Sequence, residues 1–262
     1  MNIASGWHCF KGILAREFLR FVQQRSRFLS ALVRPLLWLI VFAAGFRAAL
    51  GIAIIEPYET YITYETYIAP GLCCMILLFN GMQSSLSMVY DREMGSMRVL
   101  LMSPLPRPYL LLCKMVATAL ISLTQVYAFL VIALIVDVDP PIWGYLNVLP
   151  ALLVVALLLS SLGLFLSTRI KQLENFAGVM NFVIFPMFFL SSALYPLWKM
   201  QEASEWLYWI CLFNPFTHAV ELVRYALYMQ LNEQALMITV ITTAFFTAMA
   251  VIGFNPQKSA KK

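Results

Sequence analysis

Four charged side chains fall within the eight residues Asp91-Arg92-Glu93-Met94-Gly95-Ser96-Met97-Arg98, between two long apolar runs. Residues 67–90 upstream hold no Asp, Glu, Lys or Arg, and 109–136 downstream hold only Lys114. A charge at the centre of a bilayer costs about 2.5–3.5 kcal/mol, so this cluster is expected in water or against a partner protein. Over 91–102 the pattern predicts a short helix with Met94, Met97 and Leu101 on one side, ended by prolines 104, 106 and 108. The chemistry such a stretch offers is ionic contact, and acid–base work is not indicated. The chain has no Ser-His-Asp pattern, no His-Glu-x-x-His and no carboxylate pair inside a span. No glycine is followed by lysine, so a Walker phosphate loop is missing as well. Five cysteines (9, 73, 74, 113 and 211) and two distant histidines (8 and 218) show no metal-ligand spacing and read as packing residues. No bound metal or cofactor is expected.

Two other groups of residues stand out. Asn214-Pro215 breaks a helical pattern, and Glu221 and Arg224 follow it three residues apart, on one helix face where they can pair. Asn80, Gln83 and Asn181 are uncharged polar residues inside apolar runs, as are Ser191 and Ser192. The first three are candidates for lining a route through the membrane, although such residues more often hydrogen-bond between helices.

The elements that position these residues follow from composition. Of 262 residues, 61% are hydrophobic and 12% charged, with mean hydropathy +0.79. A soluble domain carries about 25% charged residues, so the chain reads as an all-α polytopic membrane protein. Residues 10–29 form an amphipathic pattern suited to an interfacial helix, with Arg16, Arg20 and Arg27 opposite a broad apolar face. Spans are expected at 35–55, 67–90, 109–136, 146–167, 176–194 and 235–254. Between the last two, residues 206–213 and 216–229 form pieces too short or too charged to cross alone. All of it belongs to one membrane domain, 1–262.

With six spans and an inner N-terminus, the inner side holds Lys or Arg at 11, 16, 20, 25, 27, 34, 92, 98, 107, 114, 169, 171, 258, 261 and 262. The outer side holds only Arg47, Lys199 and Arg224. That bias satisfies the positive-inside rule and places both termini in the cytoplasm. The net charge of +5 is an orientation signal, since no basic tract is dense enough for nucleic acid. No cleavable signal peptide is expected.

The sequence Asp91-Arg92-Glu93-x-Gly-Ser-x-Arg, followed by Leu-x-Ser-Pro-Leu-x-Arg and Lys114, resembles the cytoplasmic loop of type-2 ATP-binding-cassette (ABC) permeases. The segment from Asn214-Pro215 to Arg224 is similar to the signature before the last span of that family. The resemblance runs over nearly the whole chain. It implies the permease subunit of an ATP-driven exporter in a bacterial inner membrane, working as a dimer with two cassette ATPase subunits that bind the ATP and Mg. It implies further that Asp91, Arg92, Glu93, Gly95 and Arg98 contact the ATPase. Asn214, Pro215, Glu221 and Arg224 would belong to a re-entrant gating hairpin over 206–229. The chain is also similar to small permeases associated with pyrroloquinoline-quinone-dependent alcohol oxidation, which implies an amphipathic or aromatic cargo. Two other classes remain: a non-transporting membrane scaffold or sensor, and an ion-coupled carrier. The latter usually needs ionisable residues within the spans, and apart from Arg47 and Lys114 these spans lack them.

Overall fold

The computed structural model describes residues 3–23, 32–41, 56–58, 62–97, 105–136, 138–170 and 172–254. Every regular element among them is helical. In chain order they are α1 (Ile3–Gln23), α2 (Leu32–Val41), α3 (Tyr64–Glu93), α4 (Arg107–Ala133) with a 3-10 turn at Leu134–Val136, and α5 (Gly144–Arg169). Then come α6 (Leu173–Phe189), α7 (Leu197–Ala203), α8 (Glu205–Phe213), α9 (Pro215–Leu227) and α10 (Glu233–Gly253).

Helix α3 is the centre of the bundle and packs against α4, α5, α6 and α9. Its thirty residues span about 45 Å, against a hydrocarbon core of about 30 Å. It therefore projects from the apolar layer at its ends, where Glu65 and Asp91–Glu93 lie. Gly81 is where α3 meets α5. A Cβ there would lie 2.7 Å from the Leu159 carbonyl oxygen, and one on Gly163 would lie 2.8 Å from the Gly81 oxygen. The two helices cross backbone to backbone, which only small residues allow.

Four helices (α3, α4 with its 3-10 turn, α5 and α10) are long and apolar enough to cross a membrane, and α2 and α6 are shorter apolar helices. Exposed apolar side chains on α4 (Leu112, Leu120, Val131), α6 (Phe182, Phe185) and α10 (Val240, Ile241, Phe245) suit contact with acyl chains. The chain is a multi-pass membrane protein.

Several boundaries differ from the sequence-based expectation. Helix α1 begins at Ile3, ahead of residue 10, and residues 24–29 lie outside the described residues. The expected first span reaches into 42–55, also outside them, with Arg47. The fifth span was expected to continue to 194, but α6 ends at Phe189 and the chain turns through 190–195. That ending works because distant side chains take the freed carbonyls. Asn214 Nδ2 donates to Met187 O (2.8 Å) and Leu190 O (2.6 Å). Tyr67 Oη donates to Ser192 O (2.9 Å), and Tyr64 Oη to Leu194 O (3.0 Å).

Candidate functional site

The charged island divides at the end of α3. Asp91, Arg92 and Glu93 are its last residues, so no separate helix begins at 91. Met94 N bonds Tyr90 O at 2.9 Å, and Gly95 at φ 74° turns the chain out of the helix, a conformation that glycine adopts freely. Met94 is exposed, whereas Met97 is buried against Met88, Leu111 and Met115. The expected common face of Met94 and Met97 is therefore absent, because the turn at Gly95 separates them. Leu101, Arg98 and Pro104 lie outside the described residues. Pro106 and Pro108 stand at the start of α4, with Pro106 as its N-cap.

The expectation that Asp91 faces water or a partner is corrected here: it is 2% exposed. Arg16 and Arg20, one turn apart on α1, close over it. Arg16 Nη2 donates to Oδ2 at 2.6 Å, while Arg20 donates to Oδ1 at 2.9 Å and to Oδ2 at 3.3 Å. Ser96 Oγ adds a 3.2 Å bond to Oδ1 and another of 3.2 Å to the Asp91 carbonyl. Bonding to the carboxylate raises the Arg20 pKa further above its ordinary value, so its charge is permanent. The sequence placed these two arginines on the side of α1 opposite its apolar face, and there they meet the buried carboxylate. Arg92 turns toward α5 and donates to Ser167 O at 2.9 Å. Glu93 stays exposed.

A polar seam continues inward from this junction. Asn80, Ser84, Ser87 and Asp91 recur at helical spacing along α3. Asn80 Nδ2 donates to Gln125 Oε1, Ser84 and Thr118 share a 2.7 Å bond, and Lys114 Nζ donates to Ser87 Oγ at 3.3 Å. Lys114 also sits 3.9 Å from Glu17 of α1. Sequence reasoning found Asn80 and Lys114 but missed Glu17, Ser84, Thr118 and Gln125; recurrence of polar residues at helical spacing on the two antiparallel helices was the available signal for all but Glu17, which lies on α1.

Beside the seam lies a cavity of about 670 Å³, bounded by Glu17 and Arg20 of α1, Gln83, Ser87 and Tyr90 of α3, and Ala177 and Met180 of α6. Gln83 thus borders open space. Asn80 lines a smaller groove against α1 and α4. Asn181 does not join them, because it lies on the exposed face of α6 next to Phe182.

At the opposite end of α3 the Asn214-Pro215 break is present, with α8 and α9 on either side. Asn214 Oδ1 caps α9 by accepting from Phe216 N at 3.0 Å, and Pro215 takes the first helical position. Arg224 is buried and donates to Glu221 Oε1, as their spacing foretold. It donates as well to Ser192 O at 2.8 Å and lies 4.1 Å over the Tyr67 ring. His218 Nε2 is 2.9 Å from Leu212 O, which places it within the packing of this corner.

A family model described as ABC-2 type transporter matches residues 8–228. The chain belongs to the ABC-2 type transporter permease family. It is 27% identical over 218 residues to "Putative transport permease ycf38" of Porphyra purpurea, an overlap of 82% of this chain and 72% of that protein. The proteins of the same name from Cyanophora paradoxa and Pyropia yezoensis are each 28% identical, over 81% and 85% of this chain and 72% and 74% of their own lengths. Permeases of this family work with cassette ATPase partners. Both motif regions, at 91–98 and at 214–224, fall inside the matched residues.

Proposed function

We propose that this chain is the membrane permease of an ATP-driven exporter in a bacterial inner membrane. Two copies would assemble with two cassette ATPase subunits, which bind and hydrolyse the ATP; the permease chain itself is not an enzyme. Six spans cross the membrane, with α2 the described part of the first and α6 the fifth, and both termini are cytoplasmic. The pair α8–α9 forms a hairpin entering from the outer side. The cargo is a small amphipathic or aromatic molecule, in keeping with a cavity bounded by both polar and apolar side chains.

The observation that carries this reading is the form of the α3 terminus. The most buried of the long helices ends in a glycine turn that leaves Glu93 and Met94 exposed just past the apolar layer. A push on that surface enters the centre of the bundle directly. On this reading the coupling contacts are Glu93, Gly95 and the exposed part of Arg92, joined by Arg98 on the ground of the family resemblance alone. The test is Glu93→Lys in the chain co-expressed with its cassette ATPase. Membrane expression should stay near wild type, because exposed substitutions usually shift stability by no more than about 0.5 kcal/mol. Co-purification of the ATPase and ATP-driven export should fall together, since losing one member of an interfacial charge pair costs about 2–5 kcal/mol. Normal association and export would reduce the loop to a boundary marker. A chain that binds the ATPase but never drives export would be a scaffold or sensor.

A further inference from the structure

A carboxylate offers about four lone-pair positions, and those of Asp91 are all taken within the chain: two by Arg20, one by Arg16 and one by Ser96. Burial and saturation together leave Asp91 no means of touching a second protein. It is nevertheless the residue that joins the middle of α1 to the end of α3. Elsewhere α1 is held chiefly by α4, through Ile13 against Leu110 and Ala117 and through the 2.9 Å bond from Tyr109 Oη to Gly6 O. The Lys114–Glu17 approach at 3.9 Å is too long to fix an orientation. The Asp91 clasp is thus the strongest tie between α1 and the segment that carries Glu93 and Met94.

We infer that Asp91 is a positioning residue: by clasping Arg16 and Arg20 it makes α1 and the 91–97 segment a single body that moves as one when the ATPase acts. Two short bonds to separate guanidinium groups from one helix fix both the distance and the rotation of α1. A single ion pair would leave that rotation free. A displacement delivered at Glu93 therefore shifts α1 as well, and with it Glu17 and Arg20, which form one wall of the 670 Å³ cavity. The clasp links the driven surface to the cavity mouth without any motion inside the spans. Its existence is independent of the exporter reading; its role in coupling rests on that reading.

The test uses spin labels at Ala15→Cys and Met94→Cys, both exposed positions, in the full chain with its native cysteines replaced, in phosphatidylethanolamine–phosphatidylglycerol vesicles. Without any ATPase, the label pair should show one narrow distance. Asp91→Asn and the double variant Arg16→Ala/Arg20→Ala should broaden it, and Asp91→Glu, which keeps the charge, should hold it narrow. Asp91→Asn leaves no buried charge unpaired, so it stays informative if the arginine variant, which strips a buried carboxylate of both its cations, folds poorly. A narrow distance in both variants would overturn the clasp. In the complex with the ATPase, the distance should be the same without nucleotide and when trapped with ATP and vanadate, and Asp91→Asn should make it nucleotide-dependent while the ATPase still co-purifies. A wild-type distance that changes on trapping would overturn the single-body inference. So would loss of ATPase association in Asp91→Asn with the distance still narrow, because Asp91 would then be a direct contact. If no ATPase co-purifies with the unlabelled wild type, the exporter reading fails and the vesicle measurement still decides the clasp.

Discussion

Replacing Arg224 by Gln would strip one buried corner of most of its bonding. Its guanidinium serves Glu221, the Ser192 carbonyl and the face of Tyr67 at once. Breaking a buried pair from one side costs about 3–5 kcal/mol, because the remaining charge loses its compensation. Glu221 is part-exposed and recovers some solvation, so the lower end of that range is expected. Arg224→Lys keeps the charge but loses the planar fork, and should fall between wild type and Arg224→Gln. Tyr67→Phe removes one bond to Ser192 O and should cost about 1 kcal/mol. Thermal unfolding in detergent should rank the variants in that order, from Tyr67→Phe to Arg224→Gln. Equal losses for Arg224→Lys and Arg224→Gln would mean that the fork geometry is irrelevant. The Glu221–Arg224 pair was legible in the sequence because its partners share one helix turn. Tyr67, more than 150 residues away in sequence, was not. The same limit hid the fate of Asp91: nothing near it in the chain announces that α1 will cover it.

At the scale of elements, the bundle depends on how closely α3 approaches α5. Gly81→Val and Gly163→Val each place a branched side chain into backbone or Ser85 rather than into space. Overpacking costs about 1–3 kcal/mol where neighbours can yield, and a facing helix backbone yields least. Both variants should therefore lower the detergent unfolding temperature more than Gly178→Val, whose Cβ meets nothing. A ranking with Gly178→Val lowest would remove the close-crossing account. Asn214→Ala is the matching test for the helix ends. It deletes the α9 cap, worth about 1 kcal/mol, and uncovers two carbonyls at the end of α6. Its loss should exceed that of Asn232→Ala, which deletes only the α10 cap at Ala235 N. Local chemistry explains which boundaries the sequence revealed. The Asn-Pro break and the prolines before α4 act on their own neighbours, so they could be read directly. Helix α6 stops at Phe189 because Asn214 takes the carbonyls of Met187 and Leu190 while Tyr67 and Tyr64 hold those of Ser192 and Leu194 in the turn that follows, a tertiary cause without a local signature.

For the whole molecule, the decisive quantity is which end of α3 faces the cytoplasm. For six spans, charge counting predicts that the Asp91 end, with Arg16, Arg20, Arg92 and Lys114, lies inside. The structure sharpens what that count means. Part of the positive charge near Asp91 is neutralised within the chain, since Arg16 and Arg20 both meet one carboxylate. The orientation signal therefore leans more on Arg98, Arg107, Arg169, Lys171 and the terminal lysines than a bare tally implies. Single cysteines in a background without native cysteines can decide it with a membrane-impermeant maleimide on intact cells. Positions 60 and 201 should label from outside, the exposed Gln201 standing in for its buried neighbour Met200. Positions 100, 172 and 260 should label only after the membrane is opened. Labelling of 100 in intact cells would invert the α3 orientation and remove the surface on which an internal ATPase is proposed to act. If only 260 changed sides, α10 would fail to cross, leaving an odd number of spans with the α3 assignment intact. The two failures give different labelling patterns, so the experiment separates an inverted bundle from a miscounted one.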